Sequence, residues 1–182
     1  MKPCAPQGSC GLVALLSALL LTHASAATTT PDKEGCTDFR FNLAHELALF
    51  ATAPQPVTAG TSAQNVPTLQ QDRLYAVHLN PQAEVKFSVA PGKLTVNEGS
   101  YAGVVSFVPA ADGLLRVTLD EPAWIDVVAN GTAIQSTDHT GSPSCRLLHK
   151  SVRFKVSKGV PLNVQISGST GAEVRLTLSQ TG

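Results

Sequence analysis

Charge and aromatic rings are both sparse in this chain. Of its 182 residues, 14% are charged and 5% aromatic, with one Trp, two Tyr and six Phe. Thirteen Lys and Arg balance thirteen Asp and Glu, for a formal net charge of zero. A nucleic-acid binder needs a basic face whose contacts release counterions, so no nucleic-acid partner is expected. An apolar content of 43% with so little charge excludes a disordered chain. No apolar stretch reaches the roughly 20 residues that a membrane-spanning helix requires. The run at 11–21 (GLVALLSALLL) instead follows Lys2 and precedes Ala24-Ser25-Ala26, a small-x-small cleavage pattern. The expectation is an export signal over 1–26, cut after Ala26. It implies a periplasmic or secreted protein with no membrane insertion after cleavage.

Cysteine is scarce as well. Cys4 and Cys10 leave with the signal, and Cys10 precedes the apolar run, the reverse of a lipoprotein arrangement. Cys36 and Cys145 remain. In an exported chain such a pair predicts a disulfide, with two buried free thiols as the alternative. A metal site on either is poorer, because no second Cys lies nearby.

What the chain does contain is turn residues and alternation. Residues 27–35 (ATTTPDKEG) read as a loose tail. At 42–50 (NLAHELALF), Leu43, Leu47 and Phe50 have helical spacing behind a capping Asn42. Pro54 and Pro56 end that helix, and 51–67 reads as a surface connection. The period then changes to two. Strands are expected at 74–79, 84–89, 101–108, 115–119, 123–129, 132–136, 151–156, 162–167 and 173–179. No helical spacers separate them, so parallel crossover folds are disfavoured. The pattern predicts an all-β domain over 68–182, an antiparallel β-sandwich or jelly roll with one short N-terminal helix. The tail, helix and connection precede it over 27–67.

Enzyme signatures fail one by one. His45-Glu46 opens a zinc-peptidase motif, but Leu49 stands where the second His belongs. No G-x-S-x-G elbow occurs. The run Ser167-Gly168-Ser169-Thr170-Gly171 resembles an anion-cradling loop but lacks the Lys and the following helix. A hairpin turn between the last two strands explains it better. Asp138, His139 and His149 could form a two-His, one-carboxylate iron site, with Asp126 or Glu46 as substitute ligands. Lys150, Arg153, Lys155 and Lys158 could attract an anion, although Arg153 and Lys155 also read as a solvated strand face.

The most informative segment is 124–137. Asn130-Gly131 is a strong hairpin turn, and the same residues with Thr132 form an N-glycosylation sequon. The turn pairs Val127 with Ile134 and Asp126 with Gln135, and brings Thr137 opposite Trp124. Trp124, Asp126, Gln135 and Thr137 then share one face. An aromatic ring beside a carboxylate and an amide suits a sugar or peptide contact. The competing reading places Trp124 in the core, because so few large side chains are available. Asp126 would then need Arg116, Arg146 or Arg153 as a partner.

Residues 107–119 (FVPAADGLLRVTL) resemble the pre-peptidase C-terminal-like sandwiches of bacteria: a strand, a small-residue turn with Gly, another strand. Residues 123–128 (AWIDVV) and 145–154 (CRLLHKSVRF) resemble a group of small exported proteobacterial proteins. Some of that group carry a homogentisate 1,2-dioxygenase label. The iron-ligand motif of the ring-cleaving enzyme has no match here, so the resemblance implies export and a sandwich and carries over no catalytic residue. Two readings follow. One is a non-catalytic exported module without a cofactor that binds a glycan, a peptide or an envelope protein. The other is a small metal-dependent enzyme, such as a non-haem iron dioxygenase.

Overall fold

Leu115, Val117 and Leu119 lie two apart in one strand, as do Leu162, Val164 and Ile166 in a second and Val174, Leu176 and Leu178 in a third. All are 1% exposed or less, and all belong to one core cluster. Period-two spacing sends them to one side of the chain, where two sheets face each other. Each such side chain contributes roughly 1.5–3 kcal/mol by leaving water. The computed structural model describes residues 35–93 and 99–181. The expected signal, and the tail before Gly35, lie outside the described residues.

The chain begins with α1 (Ala44–Phe50), then β1 (Gln55–Thr58), β2 (Leu74–His78) and β3 (Asn80–Pro81). A 3-10 turn (Gln82–Glu84) leads towards β4 (Tyr101–Phe107), β5 (Gly113–Leu119) and β6 (Trp124–Ala129). The last strands are β7 (Thr132–Ile134), β8 (Ser136–Gly141), β9 (Lys150–Val156), β10 (Leu162–Ser169) and β11 (Glu173–Thr181). One sheet has the order β1-β2-β11-β5-β9-β8, the other β3-β4-β10-β6-β7. Every pairing is antiparallel except β1 with β2. The expected all-β sandwich with one short helix is the observed architecture.

Several local expectations change. The segment 51–67 is not only a connection, since it contains β1. A parallel pair needs a long crossover. Residues 59–73 supply it by running along the edge of β4 opposite β10, where Gly60 bridges Val104 and Thr68 bridges Ser106. The strand expected at 84–89 does not form. Its alternation is real, with Val85 buried and Phe87 half-buried against Ala102 and Val104. The segment lies across the outside of the five-stranded sheet instead of along an edge. Its backbone is held by a side chain: Gln165 Oε1 accepts the Ser88 N–H at 3.0 Å, and Gln165 Nε2 donates to Val89 O at 2.9 Å. Gln165 itself is 1% exposed.

The Asn130-Gly131 hairpin forms with the expected register at Val127–Ile134 and Ala129–Thr132. Positive φ at both turn residues (49° and 75°) matches a type I′ turn. The return strand stops at Ile134, however, and the chain changes sheets, so that Ser136–Gly141 pairs with β9. The two last strands also lie in different sheets. The run at 167–171 is therefore an arch between layers and not a hairpin.

The outside of the six-stranded sheet is covered too. Leu43, Phe50, Leu74, Leu147 and Leu148 form a second cluster there around Cys36 and Cys145. The two cysteines are bridged, as expected, across 109 positions. Asn42 Oδ1 accepts the Ala44 N–H at 2.8 Å, although the regular helix starts one residue later than the spacing suggested. Glu46 is fully buried on the sheet. Arg116 Nη1 donates to its two oxygens at 3.1 and 3.2 Å, and the Ser179 hydroxyl donates to Oε1. Arg116 is the register partner of Arg153. Phe41 covers both, with its ring centroid 3.5 Å from Arg153 Cζ and 5.4 Å from Arg116 Cζ. Arg153 is thus half-buried, not on a solvated face, and burial followed by repulsion from Arg116 lowers its pKa. Lys155 does face solvent.

Two outcomes follow. Thiol labelling of denatured, unreduced protein will find no reaction at Cys36 or Cys145, and Cys145→Ala will lower stability by about 2–5 kcal/mol. Glu46→Ala will cost about 3–5 kcal/mol in urea denaturation, because it leaves the Arg116 guanidinium buried without its carboxylate.

Candidate functional site

Strand β6 starts at Trp124, with Ile125 and Val127 facing the core. Trp124 and Asp126 therefore point to the outside of the five-stranded sheet. On that side Asp126 is the register partner of Gln165, the residue that holds the 85–93 strip. The strip runs on to Gly92, whose N–H donates to Asp126 Oδ2 at 3.1 Å. The other oxygen, Oδ1, accepts the Trp124 indole N–H at 3.0 Å. A Cβ on Gly92 would lie 3.1 Å from Asp126 Oδ1 and 3.2 Å from Trp124 Nε1, so any other residue here would press on both side chains. The carboxylate is satisfied on both oxygens, and the indole is fixed by it.

Trp124 is half-buried, which corrects its placement in the core. Its N–H finds an acceptor on the outer face of the sheet, and a purely apolar core would offer none. Nor does Arg116 or Arg153 accompany Asp126. Arg116 and Arg153 are on the outside of the other sheet, and the cation that acts on Asp126 is Lys150.

The indole separates two cavities. One, about 240 Å³, is lined by Trp124, Asp126, Gly92, Gln135 and Ser136. The other, about 330 Å³, is lined by Trp124, Lys93, His149, Lys150, Gly168 and Thr170. Of the expected contact residues, Trp124, Asp126 and Gln135 are thus brought together. Thr137 is not: it follows the change of sheet, and its hydroxyl donates to Arg153 O. Sequence reasoning missed Lys93 and His149 as neighbours of Trp124. It noticed Lys150 and the 167–171 run only as separate anion-attracting features. Lys150 heads β9, paired with Leu119 and Gly141.

The electrostatics of the larger cavity are unusual. The Lys150 Nζ stands 5.8 Å from the Trp124 ring centroid. Burial, and then repulsion from Lys93, lower the Lys150 pKa to about 8, against a smaller opposing effect of Asp126. His149 is lowered too, first by burial and then by Lys150, while Glu121 and Asp120 oppose.

The iron ligand set is not assembled. Asp138 binds Arg40 at 2.5 Å and accepts the His139 N–H. His149 lies at the larger cavity, Glu46 is committed to Arg116, and Asp126 to Trp124 and Gly92. Among the described residues no three His, Cys, Asp or Glu side chains form a group able to hold a metal ion. Asn130, Gly131 and Thr132 occupy the exposed hairpin turn.

No protein family, curated protein or solved structure matches this chain. Its function has to be argued from the cavities themselves.

The Lys150 shift has a definite sign. Its folded pKa of about 8 lies below the ordinary 10.5, so between those values the unfolded chain holds more protons. The folded state is penalised below pH 8 and relieved as pH rises towards 10.5. Lys150→Met will therefore stabilise the protein at pH 7 by roughly 1–3 kcal/mol. That gain will shrink in urea melts repeated at increasing pH from 8 to 10.

Proposed function

We propose that the protein is exported to the periplasm or cell exterior and acts there as a non-catalytic binding module, with a glycan as its ligand class. The apolar run at 11–21 and the Cys36–Cys145 bridge support export. The observation that carries the binding reading is Trp124. The only tryptophan of the chain is hydrogen-bonded to Asp126 and lines two cavities, each with polar groups beside it. A flat apolar surface with directional polar groups beside it is what a sugar ring requires.

A peptide or an envelope protein fits less well. An extended peptide would add to a sheet edge. Edge strand β7 has 3 residues, and the Arg40 guanidinium donates to His139 O on edge strand β8. Two adjoining cavities on either side of one indole suit successive sugar units better.

Because Trp124 is the sole tryptophan, its fluorescence reports directly on the site. Titration with a panel of oligosaccharides will shift its emission for the binding class. Trp124→Ala will abolish binding, measured by calorimetry, at a stability cost of about 1–2 kcal/mol, below the roughly 3–5 kcal/mol of a core tryptophan. A core-sized loss together with an unresponsive emission across the panel would sink the reading.

A further inference from the structure

The two cavities beside Trp124 differ in charge. Asp126 stands on the smaller one and Lys93, His149 and Lys150 on the larger. Arg116 and Arg175 are also sheltered but have carboxylate partners, Glu46 at 3.1 Å and Asp120 at 2.7 Å, while the half-buried Arg153 is covered by the Phe41 ring. Lys150 has no carboxylate within ion-pair distance among the described residues. Asp126 acts on it only at longer range, with both oxygens already engaged by Gly92 and Trp124. Lys93, on the same cavity, adds a second positive charge that repels the first. A partly desolvated ammonium beside another ammonium is an unfavourable arrangement that an incoming anion would relieve.

We propose that the larger cavity recognises a carboxylate, so that the ligand is an acidic glycan with its carboxylate between Lys150 and Lys93 and its ring against Trp124. This rests on the glycan reading above and adds the charge of the bound unit. A phosphate is the poorer fit. Phosphate sites use clustered backbone N–H donors, and the Gly168 N–H on this wall already donates to Gln82 Oε1 at 2.6 Å. Two lysine point charges next to an apolar ring match a carboxylated sugar instead. His149, held neutral by burial, and the Thr170 hydroxyl remain on the same wall to meet sugar hydroxyls.

Affinity for an anion should also depend on pH. The groups facing Lys150 are Lys93 on the strip, Asp126 on β6 and the adjacent His149, with Asp120 and Glu121 of the β5–β6 connection beside that histidine. An anion holds the ammonium charged, so binding weakens as the pH rises through about 8 and Lys150 loses its proton.

The test uses tri-galacturonate, its fully methyl-esterified form and inorganic phosphate, each titrated into the purified protein and followed by Trp124 emission and calorimetry. Tri-galacturonate should bind at least tenfold more tightly than the ester. That preference should be lost in Lys150→Met and weakened in Lys93→Gln, with the melting transition of each variant checked first. It should also fall between pH 7 and pH 9.5. Equal binding of acid and ester would overturn the carboxylate inference and leave the glycan reading standing. So would unchanged affinity in a folded Lys150→Met protein, or phosphate binding as tight as that of tri-galacturonate. No response to the acid, the ester or any neutral oligosaccharide overturns both.

Discussion

The outer faces of both sheets carry polar side chains that end up under cover, and most but not all find a partner there: Thr177 Oγ1 and Ser167 Oγ have none among the described residues. On the six-stranded sheet, Thr118, Ser151, Thr177 and Ser179 are 1% exposed or less beneath the helix and its flanking loops. On the five-stranded sheet, Gln165 and Ser167 are enclosed by the overlying strip. The hydrogen bonds that do form tie neighbouring strands to one another and the sheets to the segments lying on them. Thr118 bonds Ser151, Ser179 bonds Glu46, and Gln165 bonds the backbone of Ser88 and Val89. The covering segments are fixed by these polar contacts as much as by Val85, Phe87, Leu43 and Phe50.

The candidate site is a consequence of that cover. Gln165 fixes the strip at 88–89, and three residues further the strip brings Gly92 against Asp126 and Trp124. The indole thus stands half-buried at the junction of strip and sheet, on the wall of both cavities and hydrogen-bonded to its carboxylate. A rigid aromatic surface loses little freedom when a ligand arrives, which favours binding over a loosely held ring. The docking of α1 by Glu46, Arg116 and the disulfide takes place on the opposite side of the molecule. It stabilises the fold without touching the site.

Charge is divided across the indole in the same way. The Asp126 carboxylate is spent on an N–H from each neighbour, while the Lys150 ammonium keeps no close counterion among the described residues. The protein bears a destabilising desolvation at Lys150 that the core does not need. Such a cost is a common mark of a binding position, where local stability is given up for complementarity to a ligand.

Much of this was legible in the sequence. Period-two alternation identified most strands and the inward sets of β5, β10 and β11, because strand geometry alone sends alternate residues to one side. The Asn130-Gly131 turn and its register followed from local backbone preference, and the disulfide from the count of cysteines left after the expected signal. Trp124 and Asp126 were recognised as neighbours because two residues along a strand always share a face. The rest depended on what covers each face, which alternation does not encode. It reads 84–89 as a strand, yet whether that segment joins an edge or crosses a face depends on the distant Gln165. It places Thr137 beside Trp124 only if the hairpin continues, and the chain instead changes sheets after Ile134. Lys93, His149 and Lys150 meet Trp124 across separations that no local pattern spans. The sequence by itself determined most of the strands and their inward faces, since those follow from the backbone and its nearest neighbours. Only the tertiary structure decided the site, because its charged groups come from segments that approach one another only when the two sheets and their covering strip are packed together.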